Sequence, residues 1–215
     1  MHGGTPHRAY ILIEVFMSQN KKMTATRKMT VTAIMSAVSV VLMFLEFSVP
    51  FVPEFLKFDF SDLPAFITTF AVGPFWGVLA ELLKNLIHLP VTHTGGVGEL
   101  ANFLIGTALV LPAGIVYKYK KDRNGAVIAA LVGAVFATAV SFPVNLFITY
   151  PFYSGFMPIE QIVKAYSVIF PNIKTLNQAL LFINCPFTLI KGLINALITF
   201  FIYKKLSPVI KGKKS

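Results

Sequence analysis

Cysteine is almost missing from this chain, and the single one, Cys185, falls inside a long apolar run. One thiol excludes a disulfide framework and any Cys-x-x-Cys metal motif, and it says nothing about redox compartment. Charge is scarce as well: 13% of the 215 residues are Asp, Glu, Lys or Arg, whereas 55% are hydrophobic. That balance excludes a soluble domain and describes a polytopic membrane protein. Acidic groups are the rarest charges, 9 against 19 Lys and Arg, for a net charge of +10. The cations cluster at the ends of apolar runs rather than along a polar face. They therefore follow the positive-inside rule and do not point to nucleic acid. No ATP-binding Gly-x-x-x-x-Gly-Lys-Ser/Thr loop, no low-complexity segment before the lysine-rich tail and no internal repeat of useful length stands out. A cleavable signal peptide is not expected either: residues 9–17 are a short apolar run interrupted by Glu14, with no small-residue cleavage site after it. Residues 1–22 read as a poorly ordered or surface-lying extension, with Met17 and Met23 as alternative starts.

What is present is a set of membrane helices. Ala179 to Tyr203 is nearly continuous apolar sequence, long enough at about 1.5 Å per residue to cross a hydrocarbon layer of roughly 30 Å. Within it Asn184, Thr188, Lys191 and Asn195 fall on one helical face. A charged amine at the centre of a span costs about 2.5–3.5 kcal/mol on insertion scales, so this stripe must face protein or a cavity. Further apolar runs cover Met29 to about Leu45, Ser61–Val72, Phe75–His88, the stretch to about Val116, and Ala126–Tyr150. Val72-Gly73-Pro74 reads either as a turn between two short spans or as a kink in one. Six spans place the clusters Lys21–Lys28, Lys118–Arg123 and Lys204–Lys214 all on the cytoplasmic side, which five do not. The expected fold is an all-α integral membrane protein of six transmembrane helices. Both termini are cytoplasmic and a pocket opens outward. An extension (1–22), a membrane domain (23–205) and a basic tail (206–215) divide the chain.

Several patterns compete for functional meaning. Ala33 and Ala37 form a small-xxx-small face on the first span, suited to close helix approach, whether within the bundle or against a partner. The loop 46–62 carries Phe47, Phe51, Phe55, Phe58 and Phe60 between Pro50 and Pro53, forming either an interfacial aromatic belt or the cap of a pocket. Glu81, Lys84, Asn85 and His88 share a face on which Glu81 and Lys84 can pair. His88 and His93 lack the companions a metal site needs, so no metal is expected. The glycine-bearing loop 89–98 runs into Glu99 and Asn102 at the start of the fourth span, where free NH groups can meet a polar ligand edge. Thr138, Ser141, Asn145 and Thr149 make a second polar stripe, for which hydrogen bonding between helices accounts at Thr138 and Ser141. Asn145 together with Lys191 points to a cavity. The loop 151–178 contains an amphipathic segment fit to lie at the surface. The pocket these residues describe suits a planar ligand with several hydrogen-bonding edges.

Three stretches carry a resemblance: FLKFDFSDLPAFI (55–67), KNLIHLPVTHTGGVGELANF (84–103) and PFTLIKG (186–192). Over about residues 24–205 the chain resembles the riboflavin-specific substrate-binding (S) component of energy-coupling factor (ECF) vitamin transporters. The resemblance implies a six-helix subunit of a bacterial cytoplasmic membrane that binds riboflavin from outside and has no enzymatic activity or cofactor of its own. Its implied partners are a transmembrane coupling subunit, docked on the face bearing Ala33 and Ala37, and two ATP-binding cassette ATPases. It further implies that Asn145 and Lys191 hydrogen-bond the flavin ring and that Phe58, Asp59, Gly95 and Gly96 close over the ligand. Glu99, Asn102, Asn184 and Thr188 join the candidate set from helix geometry. Competing readings are a stand-alone ion-coupled carrier using Glu81, Lys84 or Glu99, an S component for another vitamin, and an intramembrane enzyme. The last lacks a nucleophile–base pair.

Overall fold

The computed structural model describes residues 23–211 other than 51, 54 and 93, with side chains up to residue 202 apart from that of Arg123. The extension 1–22, Phe51, His93 and the end of the basic tail therefore lie outside the described residues.

Helix α1 (Ala25–Phe44) begins where the Thr24 hydroxyl accepts from the Arg27 N–H at 3.3 Å. It buries Thr32, Ser36 and Ser39 and leaves Ala33 and Ala37 exposed. Strands β1 (Phe47–Ser48) and β2 (Lys57–Phe58) then pair antiparallel, Phe47 opposite Phe58. The sequence reading expected only an irregular loop there. Helices α2 (Asp62–Ala71) and α3 (Pro74–His88) are separated at the expected turn: Gly73 takes φ 135 and Pro74 opens α3. Helix α4 (Val97–Tyr119) follows, and α5 (Arg123–Val144) starts at Asp122, whose carboxylate accepts from Gly125 N–H. A π-helical turn (Asn145–Thr149) carries α5 into the short α6 (Tyr150–Tyr153). The loop expected over 151–178 holds α7 (Ile159–Ile169) and α8 (Leu176–Ala179). A second π-helical turn (Leu180–Asn184) opens α9 (Cys185–Lys211).

The two π turns lie in locally similar sequence, too short to be a repeat of the two halves. LFITYPF (146–152) and LFINCPF (181–187) match at five of seven positions. In each, a proline (Pro151, Pro186) stands two residues after the π turn and lacks the N–H that an α register would deliver to Phe147 or Phe182. The N–H just before each proline bonds five residues back, Tyr150 to Asn145 and Cys185 to Leu180.

Packing relies on small residues. Ala80, Ala113, Ala129, Ala134 and Ala137 are buried in the main core with Phe66 and Leu109, and at Gly133 a Cβ would collide with the Leu109 carbonyl of α4. Among the described residues, four helical stretches are long and apolar enough to cross a membrane: Ala25–Phe44, Val97–Tyr119, Asn124–Tyr153 and Leu176–Ile202. Helices α2 and α3 have 10 and 15 residues; at 1.5 Å per residue they reach only about 15 and 22 Å. Met23, Ala71, Val72, Ile198 and Ile202 all pack against the cluster of Leu63 and Ile67 of α2, so the start of α1, the α2–α3 turn and the later part of α9 share one end of the bundle.

Candidate functional site

At the opposite end a cavity of about 340 Å³ opens among the β2–α2 segment, α3, α4, the first π turn and α9. Of the residues singled out from sequence, Asp59, Glu99, Asn102, Asn145, Asn184, Thr188 and Lys191 line it. Gly95 and Gly96 do not appear in its lining; they take φ 58 and 90 in the turn before α4, Gly95 beside the Phe152 ring. Phe58 faces a neighbouring apolar groove, where its ring meets Phe187 edge-on at 6.1 Å. Ala33 and Ala37 lie far along the outer surface of α1.

Lys191 is held by charge. Its Nζ lies 2.8 Å from Asp59 Oδ2 and 3.8 Å from Asp62 Oδ2. Asp62 also accepts from Lys84, which donates to Ser61 Oγ at 3.1 Å and pairs with Glu81 Oε2 at 2.7 Å. The Glu81–Lys84 pairing expected from spacing is thus part of a larger cluster of three carboxylates and two ammonium groups drawn from the β2–α2 segment, α3 and α9. Lys84 and Glu81 are wholly buried, and Glu81 fits because Gly106 of α4 has no side chain to meet its carboxylate. Burial alone would push the Asp59 carboxyl up, but the Lys191 and Lys84 ammonium groups outweigh it and hold the carboxyl down at about 2. Asp59 is therefore charged at neutral pH and anchors the β2–α2 segment across the cavity.

Glu99 organises the other rim. Its Oε2 accepts from Thr92 Oγ1 at 2.7 Å and Thr94 Oγ1 at 3.2 Å, and its Oε1 lies 2.8 Å from His88 Nδ1. These bonds tie the loop 89–98 to the ends of α3 and α4. Gly98 N–H, one of the amides opening α4, is already taken by Thr94 Oγ1 at 3.0 Å.

The polar stripes divide between structure and site. Thr138 and Ser141 donate to carbonyls of their own helix, Ala134 and Thr138, and the expected bonds between helices are present as well: Cys185 Sγ of α9 donates to the Thr138 carbonyl and lies beside Ser141 Oγ, both at 3.9 Å. Asn145, which lines the cavity, donates its amide to the Ser141 carbonyl at 2.8 Å. Asn184 is engaged at both ends: Tyr166 of α7 donates to its Oδ1 at 2.6 Å, and its Nδ2 donates to Tyr150 at 3.0 Å. The two tyrosine hydroxyls are also bonded to each other. Thr149 lines the cavity with a buried hydroxyl that has no partner among the described residues.

Asp62, Tyr150, Tyr153 and Tyr166 escaped the sequence reading. Asp62 stands within the FLKFDFSDLPAFI stretch, but nothing local says that it reaches two lysines on different helices. The matched LFITYPF and LFINCPF segments place Thr149 and Asn184, both lining the cavity, in equivalent positions, but Tyr150 stands opposite Cys185 in that match and is not signalled by it. Amide, hydroxyl, ammonium and aromatic groups thus surround a hollow at the small end of the roughly 300–1,000 Å³ typical of small-molecule sites.

A family model described as the substrate-specific component of ECF transporters matches residues 27–203. The chain is similar to the riboflavin transporter RibU of Staphylococcus aureus (strain TCH60), 29% identical over 195 residues, or 91% of this chain and 95% of that one. It is also similar to the riboflavin transporter FmnP of Bacillus subtilis (strain 168), 29% identical over 192 residues, 88% of this chain and 96% of that one. A RibU of Streptococcus thermophilus (strain ATCC BAA-250 / LMG 18311) is 31% identical over 202 residues, 89% of this chain and 88% of that one. Among solved structures, the S component of a bacterial ECF transporter superposes with a TM-score of 0.68 at 28% identity, over 87% of this chain and 99% of that one.

Proposed function

Because this chain belongs to the substrate-specific components of ECF transporters, we propose that it binds riboflavin in the cavity beneath the β2–α2 segment and delivers it across a bacterial cytoplasmic membrane. The observation that carries this reading is the cavity itself: its amide, hydroxyl and ammonium groups and its aromatic walls match a planar, polar-edged ring system, in a chain that aligns with riboflavin transporters over about nine-tenths of its length. Lys191 and Asn145 meet the polar edge of the ring, with Asn102, Thr188 and Asn184 beside them. Asp59 holds Lys191 in place and closes the β2–α2 segment over the ligand, while Phe58, Gly95 and Gly96 shape the closing segments from behind. Glu99 acts by fixing the loop 89–98.

Transport requires partners. No phosphate-binding loop is present in the sequence, so a transmembrane coupling subunit and two ATP-binding cassette ATPases supply the energy, with the exposed small face at Ala33 and Ala37 as the docking surface. The chain runs as six membrane passes, α2 and α3 forming a short hairpin between α1 and α4. The packing of Met23, Val72 and Ile202 against one cluster of α2 supports this path, and the positive-inside rule applied to the basic clusters supports cytoplasmic termini. The test is a fluorescence titration: the detergent-purified protein should quench riboflavin stoichiometrically. A protein that leaves riboflavin fluorescence unchanged would sink the assignment and direct the titration to other vitamins.

A further inference from the structure

A second hollow, of about 470 Å³, opens on the outer side of α9 next to the cavity, and all the described residues lining it are apolar. Phe47 and Phe60 form one wall; Phe182, Ile190 and Ile194 form the other. Phe182 and Ile190 are 66% and 54% exposed, on a helix long and apolar enough to cross a membrane. This surface therefore faces hydrocarbon. Towards the start of α9 the groove runs into an adjoining hollow that shares Phe170, Phe182 and Ile183 and adds the amides of Asn172 and Gln178. An apolar trough with an amide-bearing rim has the polarity profile of a single amphiphile.

We propose that this groove binds one acyl chain of a membrane phospholipid, with the head group at Asn172 and Gln178. Water is excluded because the walls offer it no hydrogen bond. The lining residues Phe182, Pro186, Ile190 and Ile194 run in a line along α9, the path an extended acyl chain follows.

The groove and the ligand cavity share a wall. Phe187 lines both, and Phe58 meets it edge-on with an interplanar angle of 88°. These two rings partition the polar cavity from the bilayer. The bound chain packs on the outer side of Phe187 and braces that partition, a role that rests on the cavity being the riboflavin site.

The experiment is native mass spectrometry of the full chain released from nanodiscs of palmitoyl-oleoyl phosphatidylcholine, with riboflavin dissociation measured on the same preparations. Wild type and a control, Phe136→Trp on the exposed surface of α5, should retain one phospholipid, and Ile194→Trp, which fills the groove, should lose it. Ile190→Trp at the mouth of the groove replaces Ile194→Trp if that variant misfolds. Wild type without lipid, equal retention in every variant, or a dimer mass in place of the lipid adduct would overturn the proposal. Wild type stripped of its lipid by detergent exchange should release riboflavin about tenfold faster than the lipid-bound protein, since a loosened cavity wall acts mainly on dissociation; an unchanged rate would overturn the bracing role. A wild type that keeps its lipid but does not bind riboflavin would refute the ligand reading and leave the lipid site intact.

Discussion

Lys191 shows how a single side chain gathers several elements. Its ammonium joins α9 to the β2–α2 segment through Asp59 and, through Asp62, to Lys84 and Glu81 of α3. Replacing Lys191 by Ala removes a charged hydrogen-bond donor worth about 1.5–3 kcal/mol, which is about 10- to 100-fold in riboflavin affinity. Titration of the folded variant checks this, and an unchanged affinity would reject Lys191 as a ligand contact. Thr149→Val, which keeps the shape and removes an unpartnered hydroxyl, should weaken binding by about fivefold if that hydroxyl meets the ligand, since one neutral hydrogen bond contributes about 1 kcal/mol. A structural role alone would leave affinity unchanged and move only the unfolding temperature. Asp59 predicts an acid limit. Its carboxyl sits at about 2 in the folded protein against an ordinary 3.8. The stabilisation is therefore complete above the ordinary value and is lost as pH falls towards 2. Thermal unfolding in detergent should show this loss below about pH 4, with that portion missing in Asp59→Asn.

At the scale of elements, the two π turns and α7 act together. Asn184 ends one π turn, and its amide is gripped by Tyr150 at the end of the other and by Tyr166 from α7. Burial pushes the Tyr166 hydroxyl far up, so it remains a neutral donor at every pH the protein meets. Tyr166→Phe should loosen α7, read as faster amide hydrogen exchange over Ile159–Ile169, with a smaller loss of riboflavin affinity than Lys191→Ala. Protection unchanged from wild type would show that apolar contacts of Ile162 and Ile173 hold α7 without the hydroxyl. The amphipathic segment was visible in the sequence as a surface helix. Its anchor was not, because a buried tyrosine and an interfacial tyrosine look alike in a sequence.

For the whole molecule, the docking surface proposed at the exposed Ala33 and Ala37 is tested in a complex. Ala33→Leu together with Ala37→Leu should leave riboflavin binding in detergent intact and abolish ATP-dependent uptake when the coupling subunit and ATPases are reconstituted with it. Intact uptake would move the docking surface elsewhere. The chain alone in liposomes should bind riboflavin without accumulating it.

The sequence by itself determined the membrane class, the positions of the long helices, the break at Gly73 and most of the polar residues that meet in the cavity. These follow from composition, from helical periodicity and from glycine and proline chemistry, all of which act over a few residues. Only the tertiary structure decided that Lys191 is paired with Asp59, that Asp62 bridges two lysines, that Cys185 of α9 is the partner of Thr138 and Ser141 across the bundle, and that Phe58 faces the apolar groove rather than the polar cavity. Such pairings depend on which helix faces lie opposite one another across the bundle. In a low-dielectric interior a charge takes whichever partner that packing brings near, and no local spacing in the chain specifies it.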